Sequence, residues 1–396
     1  MRKVYMDHVA AMPLLPDVRE AMLPFLDELF GNPQSLHAWG DGARDAMENA
    51  REQVAALIGG NAEEIIFTSC GTESNNMAIK GIARARADKG RHIVISAIEH
   101  FSVMNAARAL QKEGFEVTVV PVVPVDAYGM VDPDEVARSV RSDTVLVSIM
   151  HANGEVGTIE PLAEISRKLP KGGPVFHSDA IASAGNIRVD VKELGVDALS
   201  LAGNQFYGPR GSGALWVRRG VRILPLMEGG IQEGGRRPGT EDVPAIVGLG
   251  KAAELAGQNL EDRMAQLGGL RDKLIQGVLN TIEHSILTGH PTQRLPHYAS
   301  FCLKFIEGEA ILMLLNSQGI AAASGSACTS RALKASHVLL AMGISHETAQ
   351  GSTLFTLGLE NSEDDVDYVL EKLPAVVDRL RQMSPLYSKF LKEQRG

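Results

Sequence analysis

Val175-Phe176-His177-Ser178-Asp179-Ala180 is a short β-branched and aromatic run that ends on a carboxylate. It reads as a β-strand with Asp179 at its C-terminal end. Comparable runs lie on either side, at Ile65–Thr68, His92–Ala97, Glu116–Val122, Val145–His151, Leu199–Ala202 and Ala214–Val217. Helical periodicity fills several of the gaps, as in Ser74–Lys89, Phe101–Lys112 and Pro161–Leu169. Strands alternating with helices predict a doubly wound α/β sheet. Such sheets bind ligands at the carboxyl ends of their strands. Asp179 therefore stands where a carboxylate can pair with a ring-nitrogen cation, or can cap the helix that follows.

Beyond this region the pattern changes. Val243–Glu283 is one long helical stretch that joins two domains. After it come a strand at His297–Phe305, a helix at Glu309–Ser317, a strand at Thr353–Leu357 and a helix at Glu363–Met383. That α+β layout predicts a smaller C-terminal domain. The Gly229–Gly239 stretch, with its adjacent arginines, reads as a loop.

The chain has 396 residues and a net charge of −9, an acidic balance that argues against nucleic acid and anionic membranes as partners. No apolar run is long enough to span a bilayer, and the N-terminus has no apolar signal core. A cytoplasmic location is expected. The three cysteines, Cys70, Cys302 and Cys328, are odd in number and far apart, which disfavours a disulfide framework or a CxxC zinc site.

Three segments carry candidate chemistry. Thr68-Ser69-Cys70-Gly71-Thr72-Glu73-Ser74 follows a strand and opens a helix, so it is either a capped helix start or an anion site made of free backbone N–H groups. His100 follows another strand and suits a structural role or a stacking, proton-handling one. Cys328 sits among small polar residues, Ala323-Ser324-Gly325-Ser326-Ala327-Cys328-Thr329-Ser330, as expected for an exposed loop thiol able to attack or to ligate a soft metal. Cys302 lies in an apolar strand and reads as a buried small hydrophobe, and Cys70 fits either reading.

Together these pieces resemble the cysteine desulfurase family of the pyridoxal phosphate (PLP)-dependent class V aminotransferase superfamily. The resemblance runs from Tyr5-Met6-Asp7 and Gly31-Asn32-Pro33-Gln34-Ser35 through Thr72-Glu73-Ser74-Asn75-Asn76 and Glu99-His100. It continues through His151-Ala152-Asn153-Gly154-Glu155-Val156-Gly157, Asp179-Ala180, Tyr207-Gly208-Pro209 and Gly239-Thr240, and reaches the Cys328 segment and Ser384-Pro385-Leu386. It implies the α/β PLP-dependent transferase fold type I. A large domain (15–260) would carry a mostly parallel seven-stranded sheet. A small α+β domain (1–14 and 261–396) would carry the Cys328 loop. It also implies a homodimer with cofactor sites at the subunit boundary.

By the same resemblance, Gly71 and Thr72 take phosphate-binding positions and Thr240 reaches the phosphate of the other subunit. Asp179 pairs with the pyridine nitrogen, His100 stacks on the ring, and Asn153 lies near the ring hydroxyl and the substrate carboxylate. Cys328 takes the position of the persulfide-forming cysteine. Against that pattern stands Gly203-Asn204-Gln205-Phe206-Tyr207-Gly208-Pro209, where the family has Gly-His-Lys before the turn. Gln205 replaces the Schiff-base lysine, Asn204 a phosphate-binding histidine and Ala202 a phosphate-binding serine. Ala182 replaces a glutamine at the ring hydroxyl. Leu354 replaces the arginine that clamps the substrate carboxylate, and Leu359 replaces another arginine nearby.

A carboxamide forms no Schiff base and moves no proton as an amine does. The expected function is therefore that of a desulfurase homologue in iron–sulfur cluster assembly with a degenerate site. PLP would be held noncovalently if at all. Cys328 would act as sulfur acceptor or as metal ligand to an iron–sulfur cluster, beside a scaffold protein. The alternatives are a working PLP-dependent cysteine desulfurase, turning L-cysteine into L-alanine and an enzyme persulfide, and a non-catalytic structural or regulatory dimer partner.

Overall fold

A computed structural model describes residues 2–122, 128–325 and 335–395. Its strands are β1 (Val4–Tyr5), β2 (Ile65–Thr68), β3 (His92–Ser96), β4 (Glu116–Val120), β5 (Thr144–Ser148), β6 (Val175–Asp179), β7 (Ala198–Ala202), β8 (Gly213–Val217), β9 (Ser285–Leu287), β10 (Tyr298–Leu303), β11 (Ile320–Ala321) and β12 (Ser352–Thr356). Seven of them form one sheet in the order β2-β8-β7-β6-β5-β3-β4. β4, β3, β5, β6 and β7 are mutually parallel, and β8 runs antiparallel to both of its neighbours. This is the mostly parallel α/β sheet expected of the sequence.

Both faces of the sheet are covered except along the edge strand β4, so the other six strands are buried along their whole length. One apolar cluster joins Phe67, Val94, Val147, Phe176 and Leu199 to Met47 and Val54 of the Ala38–Leu57 helix and to Ile246 and Leu249 of the Val243–Gln258 helix. Another joins Ile66, Ile93, Ile95 and Leu146 to Met77, Ile79 and Ile82 and to Val103 and Leu110. A separate sheet, β12-β10-β9, is antiparallel and packs on Leu274 and Val278 and on Val369 and Leu373 from two further helices. β1 pairs in parallel with β11, which brings the start of the chain to this region.

Two helix expectations need correction. The long helical stretch is two helices, Val243–Gln258 and Leu260–Thr281, because Asn259 leaves helical geometry (φ −115, ψ 16) and its side chain caps the Leu255 carbonyl. The helix expected at Ser74 begins at Gly71 and ends at Ala85, with a π turn at Met77–Gly81. There the Gly81 carbonyl accepts a hydrogen bond from Leu224 N, and a Cβ on Gly81 would stand 2.6 Å from the Leu224 oxygen. No described helix is long and apolar enough to cross a membrane.

Polar groups buried beside the sheet are held by named partners. Glu99 accepts from Ser96 Oγ at 2.6 Å and from Met150 N at 2.9 Å, and burial pushes its carboxyl up to about 8. Glu160 accepts from Val131 N at 2.8 Å and is pushed up to about 8 in the same way. His177 bridges Ser148 Oγ and Ser200 Oγ, each at 2.9 Å, and burial pushes its imidazole down to about 3. The loop at 229–239 is clasped from below. Glu233, at φ +50, accepts from both Arg51 guanidinium nitrogens at 2.9 and 2.8 Å and from Phe67 N at 2.9 Å.

Replacing Glu233 by alanine leaves the buried Arg51 charge with the exposed Glu48 carboxylate as its remaining ion-pair partner, which should cost about 3 kcal/mol and lower the thermal midpoint. An unchanged midpoint would mean that the pair contributes nothing. A second outcome concerns pH. An acid whose pKa rises on folding stabilises fully below its unfolded value and loses that contribution as pH climbs through the folded value. Wild-type urea midpoints should therefore fall between pH 7.5 and pH 8.5, where His177 is largely neutral in both states and Glu99 is titrating in the folded one. The fall should be shallower in Glu99→Gln, and equal slopes would contradict the assignment.

Candidate functional site

The parallel strands place their C-terminal ends on one edge, and the loops leaving that edge line a cavity of about 380 Å³. Cys70, Gly71 and Thr72 enter from the end of β2, and Ile98, Glu99 and His100 from the end of β3. Met150, Asn153 and Glu155 follow β5, Asp179 and Ala182 end β6, and Ala202, Asn204 and Gln205 leave β7. Tyr298, Gly325, Ser336 and His337 close the cavity from the other side.

A relay of short hydrogen bonds organises the floor. Asn75 Nδ2 donates to Asp179 Oδ2 at 2.6 Å and to Ser102 Oγ at 2.8 Å. Ser102 Oγ lies 2.7 Å from His100 Nδ1, which also accepts from Ser102 N at 3.1 Å. With Nδ1 accepting, the neutral His100 ring carries its proton on Nε2. Asp179 Oδ1 accepts from Ile181 N at 2.9 Å. Burial raises the Asp179 carboxyl, and the Ile181 bond, the His100 ring and the Asn75 bond pull against it. A pyridinium placed there would supply the missing cation, so the floor fits the ring of PLP.

At the helix start, Cys70 is the extended N-cap residue and its thiol is exposed. A Cβ on Gly71 would stand 2.1 Å from Ile181 Cδ1, so this backbone passes close to the floor loop. Glu73 ties the start down, accepting from Ser69 N at 2.6 Å and from Arg237 Nε at 2.9 Å.

Gln205 is buried, and its side-chain Nε2 donates to the Val9 carbonyl at 2.9 Å. Asn186 Nδ2 holds the Gln205 backbone oxygen at 2.8 Å. Among the described residues, no lysine or arginine lines the cavity, and its carboxyl groups are Glu99, Glu155 and Asp179. Leu354 is buried in β12, opposite Ser300 on one side and bridged to Ala323 on the other.

Asn153 lines the cavity, but both ends of its amide serve the backbone. Oδ1 accepts from Glu155 N at 2.9 Å and Val156 N at 3.0 Å, and Nδ2 donates to Ile98 O at 3.1 Å. Thr240 is exposed and does not line this cavity. Cys328 lies outside the described residues. Among the described residues, no group of three or more His, Cys, Asp or Glu is arranged to hold a metal.

Sequence reasoning passed over Glu155 and His337. The Glu155 carboxyl accepts from Ser336 Oγ at 2.7 Å, and burial pushes it up to about 7. A Cβ on Gly325 would stand 1.9 Å from its other oxygen. His337 Nε2 donates to the Glu99 carbonyl at 3.0 Å, and its ring lies 4.7 Å from that of Phe101. Glu155 lies within His151-Ala152-Asn153-Gly154-Glu155-Val156-Gly157, and an acid among small and apolar neighbours is the signal that marks it. Nothing local marks His337.

The aminotransferase class-V family model matches residues 4–369. Cysteine desulfurase IscS 1 of Archaeoglobus fulgidus is 50% identical over 383 residues, covering 97% of this chain and 99% of that one. Cysteine desulfurase IscS of Methanosarcina thermophila is 50% identical over 388 residues, covering 98% and 95%. Among solved structures, a NifS-like protein superposes with a TM-score of 0.89 at 37% identity, covering 96% of this chain and 100% of that one. A fold, a strand-end cavity and near full-length likeness agree: this chain belongs to the cysteine desulfurase family of the class-V aminotransferases.

Proposed function

We propose that this chain is a desulfurase homologue of iron–sulfur cluster assembly with a degenerate PLP site. In this reading it offers the Cys328 thiolate, as sulfur acceptor or cluster ligand, to a scaffold protein. It acts as a homodimer, and Thr240 reaches the partner's site. The observation that carries the proposal is Gln205, a buried carboxamide bonded to the Val9 carbonyl where the family's lysine would stand.

The ring would be held without a covalent tether. Asp179 would face the pyridine nitrogen, His100 would lie against the ring, and Gly71 and Thr72 would meet the phosphate. When bound, the cofactor supplies an electron sink for bonds beside an amine. Gln205 can neither attack a carbonyl nor carry a proton away, because an amide nitrogen has no available lone pair. Leu354 offers a substrate carboxylate no partner. A charge-assisted hydrogen bond contributes about 1.5–3 kcal/mol, so its loss weakens binding by about one to two decades.

A second reading, an active PLP-dependent desulfurase, draws on the intact relay from Asp179 to His100. That relay leaves Nε2–H of His100 as a positioned proton donor.

Cys328-dependent sulfide release from L-cysteine separates the two, and mass spectrometry after borohydride treatment tests for a covalent tether that Gln205 excludes. The proposed reading expects no cofactor fixed to the chain and sulfide release from L-cysteine at the level of the protein-free control. It also expects Cys328→Ser to lower cluster yield in anaerobic reconstitution with iron, sulfide and a scaffold protein. Sulfide release that depends on Cys328 would favour the second reading, and an unchanged cluster yield would remove the thiol from the first. Gln205→Lys alone should leave turnover low, with Gln205→Lys/Leu354→Arg exceeding it by about tenfold or more. Full activity from the single change would refute the role given to Leu354.

A further inference from the structure

Two imidazoles border the cavity, and their hydrogen bonds leave opposite nitrogens free. His100 commits Nδ1 to Ser102 and keeps its proton on Nε2. His337 is the reverse. Its Nε2 lies 3.0 Å from the Glu99 carbonyl oxygen, and a carbonyl accepts and never donates, so the proton is on Nε2. A neutral ring carries one proton, and Nδ1 of His337 is therefore a bare lone pair. That nitrogen has no hydrogen-bond partner among the described residues, and it is not sealed from solvent. Burial holds the ring below the usual imidazole range, helped by His100 and Arg108 and opposed by the Glu99 carbonyl, so His337 is neutral at pH 7.

The ring is also fixed in place. Ser336 caps the helix His337–Ala341, accepting from Val338 N at 3.1 Å and Leu339 N at 3.2 Å, and it donates to Glu155 at 2.7 Å. The Phe101 ring lies against that of His337, 4.7 Å away. Other bases in the described lining are committed or closed off. Both Asp179 oxygens are bonded, to Asn75 and to Ile181. The unpartnered oxygens of Glu99 and Glu155 are sealed from solvent. Gln205 has no basic nitrogen.

Resting on the cofactor-site reading above, we propose that His337 is the proton acceptor of this cavity, its Nδ1 taking the proton that a primary amine must lose before it can attack the aldehyde of bound PLP. One N–H bond of the ammonium breaks and its electron pair stays on the amine nitrogen. The proton joins Nδ1, giving an imidazolium that still donates from Nε2 to the Glu99 carbonyl. His100, with its proton on Nε2, is the complementary donor. The step precedes turnover and needs neither Leu354 nor Cys328.

The test treats the whole protein with diethyl pyrocarbonate, which acylates a neutral imidazole at a free lone pair, and reads each histidine by mass spectrometry. His337 should react faster than His100 and should lose most of that reactivity when PLP saturates the protein, with PLP binding followed by absorbance. Capture of methylamine by bound PLP, read from the same absorbance band, should slow by about a hundredfold in His337→Gln, which keeps a donor for the Glu99 carbonyl and lacks a basic nitrogen. Added imidazole should restore much of the rate in His337→Ala, which a purely structural role would not allow. A His337 that reacts no faster than His100, or as fast with PLP as without it, overturns the inference and leaves the cofactor site standing. So does an undiminished capture rate in a His337→Gln variant that binds PLP as wild type does. Failure of the protein to bind PLP overturns the cofactor site and the inference together. The wild-type labelling decides whether Nδ1 faces the site even if both variants fail to fold.

Discussion

The hydrogen bond from Asn75 Nδ2 to Asp179 Oδ2, 2.6 Å long, is the tie on which the cavity depends. It joins the helix after β2 to the end of β6, two strands that are not neighbours in the sheet. Through Ser102 the same amide reaches His100 at the end of β3. One side chain thus sets the spacing of three loops and fixes the tautomer of the ring. A buried carboxylate without such donors would be costly. Here it has two, from Asn75 and Ile181, and among the described residues no lysine or arginine lines the cavity beside it.

Glu99 and Glu155 also line the cavity, and burial pushes both carboxyls up, to about 8 and about 7. At neutral pH Glu99 then adds little negative charge and Glu155 only part of its own. The side chain at 205 is a neutral carboxamide and not an ammonium. The carboxamide there instead spans to the Val9 carbonyl and ties the loop after β7 to the N-terminal segment.

Much of the sheet was legible in the chain. β2, β3, β6 and β8 lie where β-branched runs between helical stretches predict them, within a residue or so at their ends. Apolar periodicity suffices there because both faces of the sheet are covered. It failed at Asn259, where a single polar side chain turned one helix into two, and at the π turn of Met77–Gly81, where a backbone bond from Leu224 reshapes the helix. Short pairings such as β1 with β11 join segments more than 300 residues apart and leave no local trace.

The sequence by itself determined the family, the strand-end position of Asp179, and the presence of a carboxamide at 205. Each of these is carried by residue identity and order. Only the tertiary structure decided which groups face one another. It brings Asn75 onto Asp179, commits both ends of the Asn153 amide to backbone, and puts Glu155 against Gly325 and Ser336. It also turns the Gln205 nitrogen toward Val9. Hydrogen-bond direction and burial depend on partners distant in the chain, and no reading of neighbours along it can supply them.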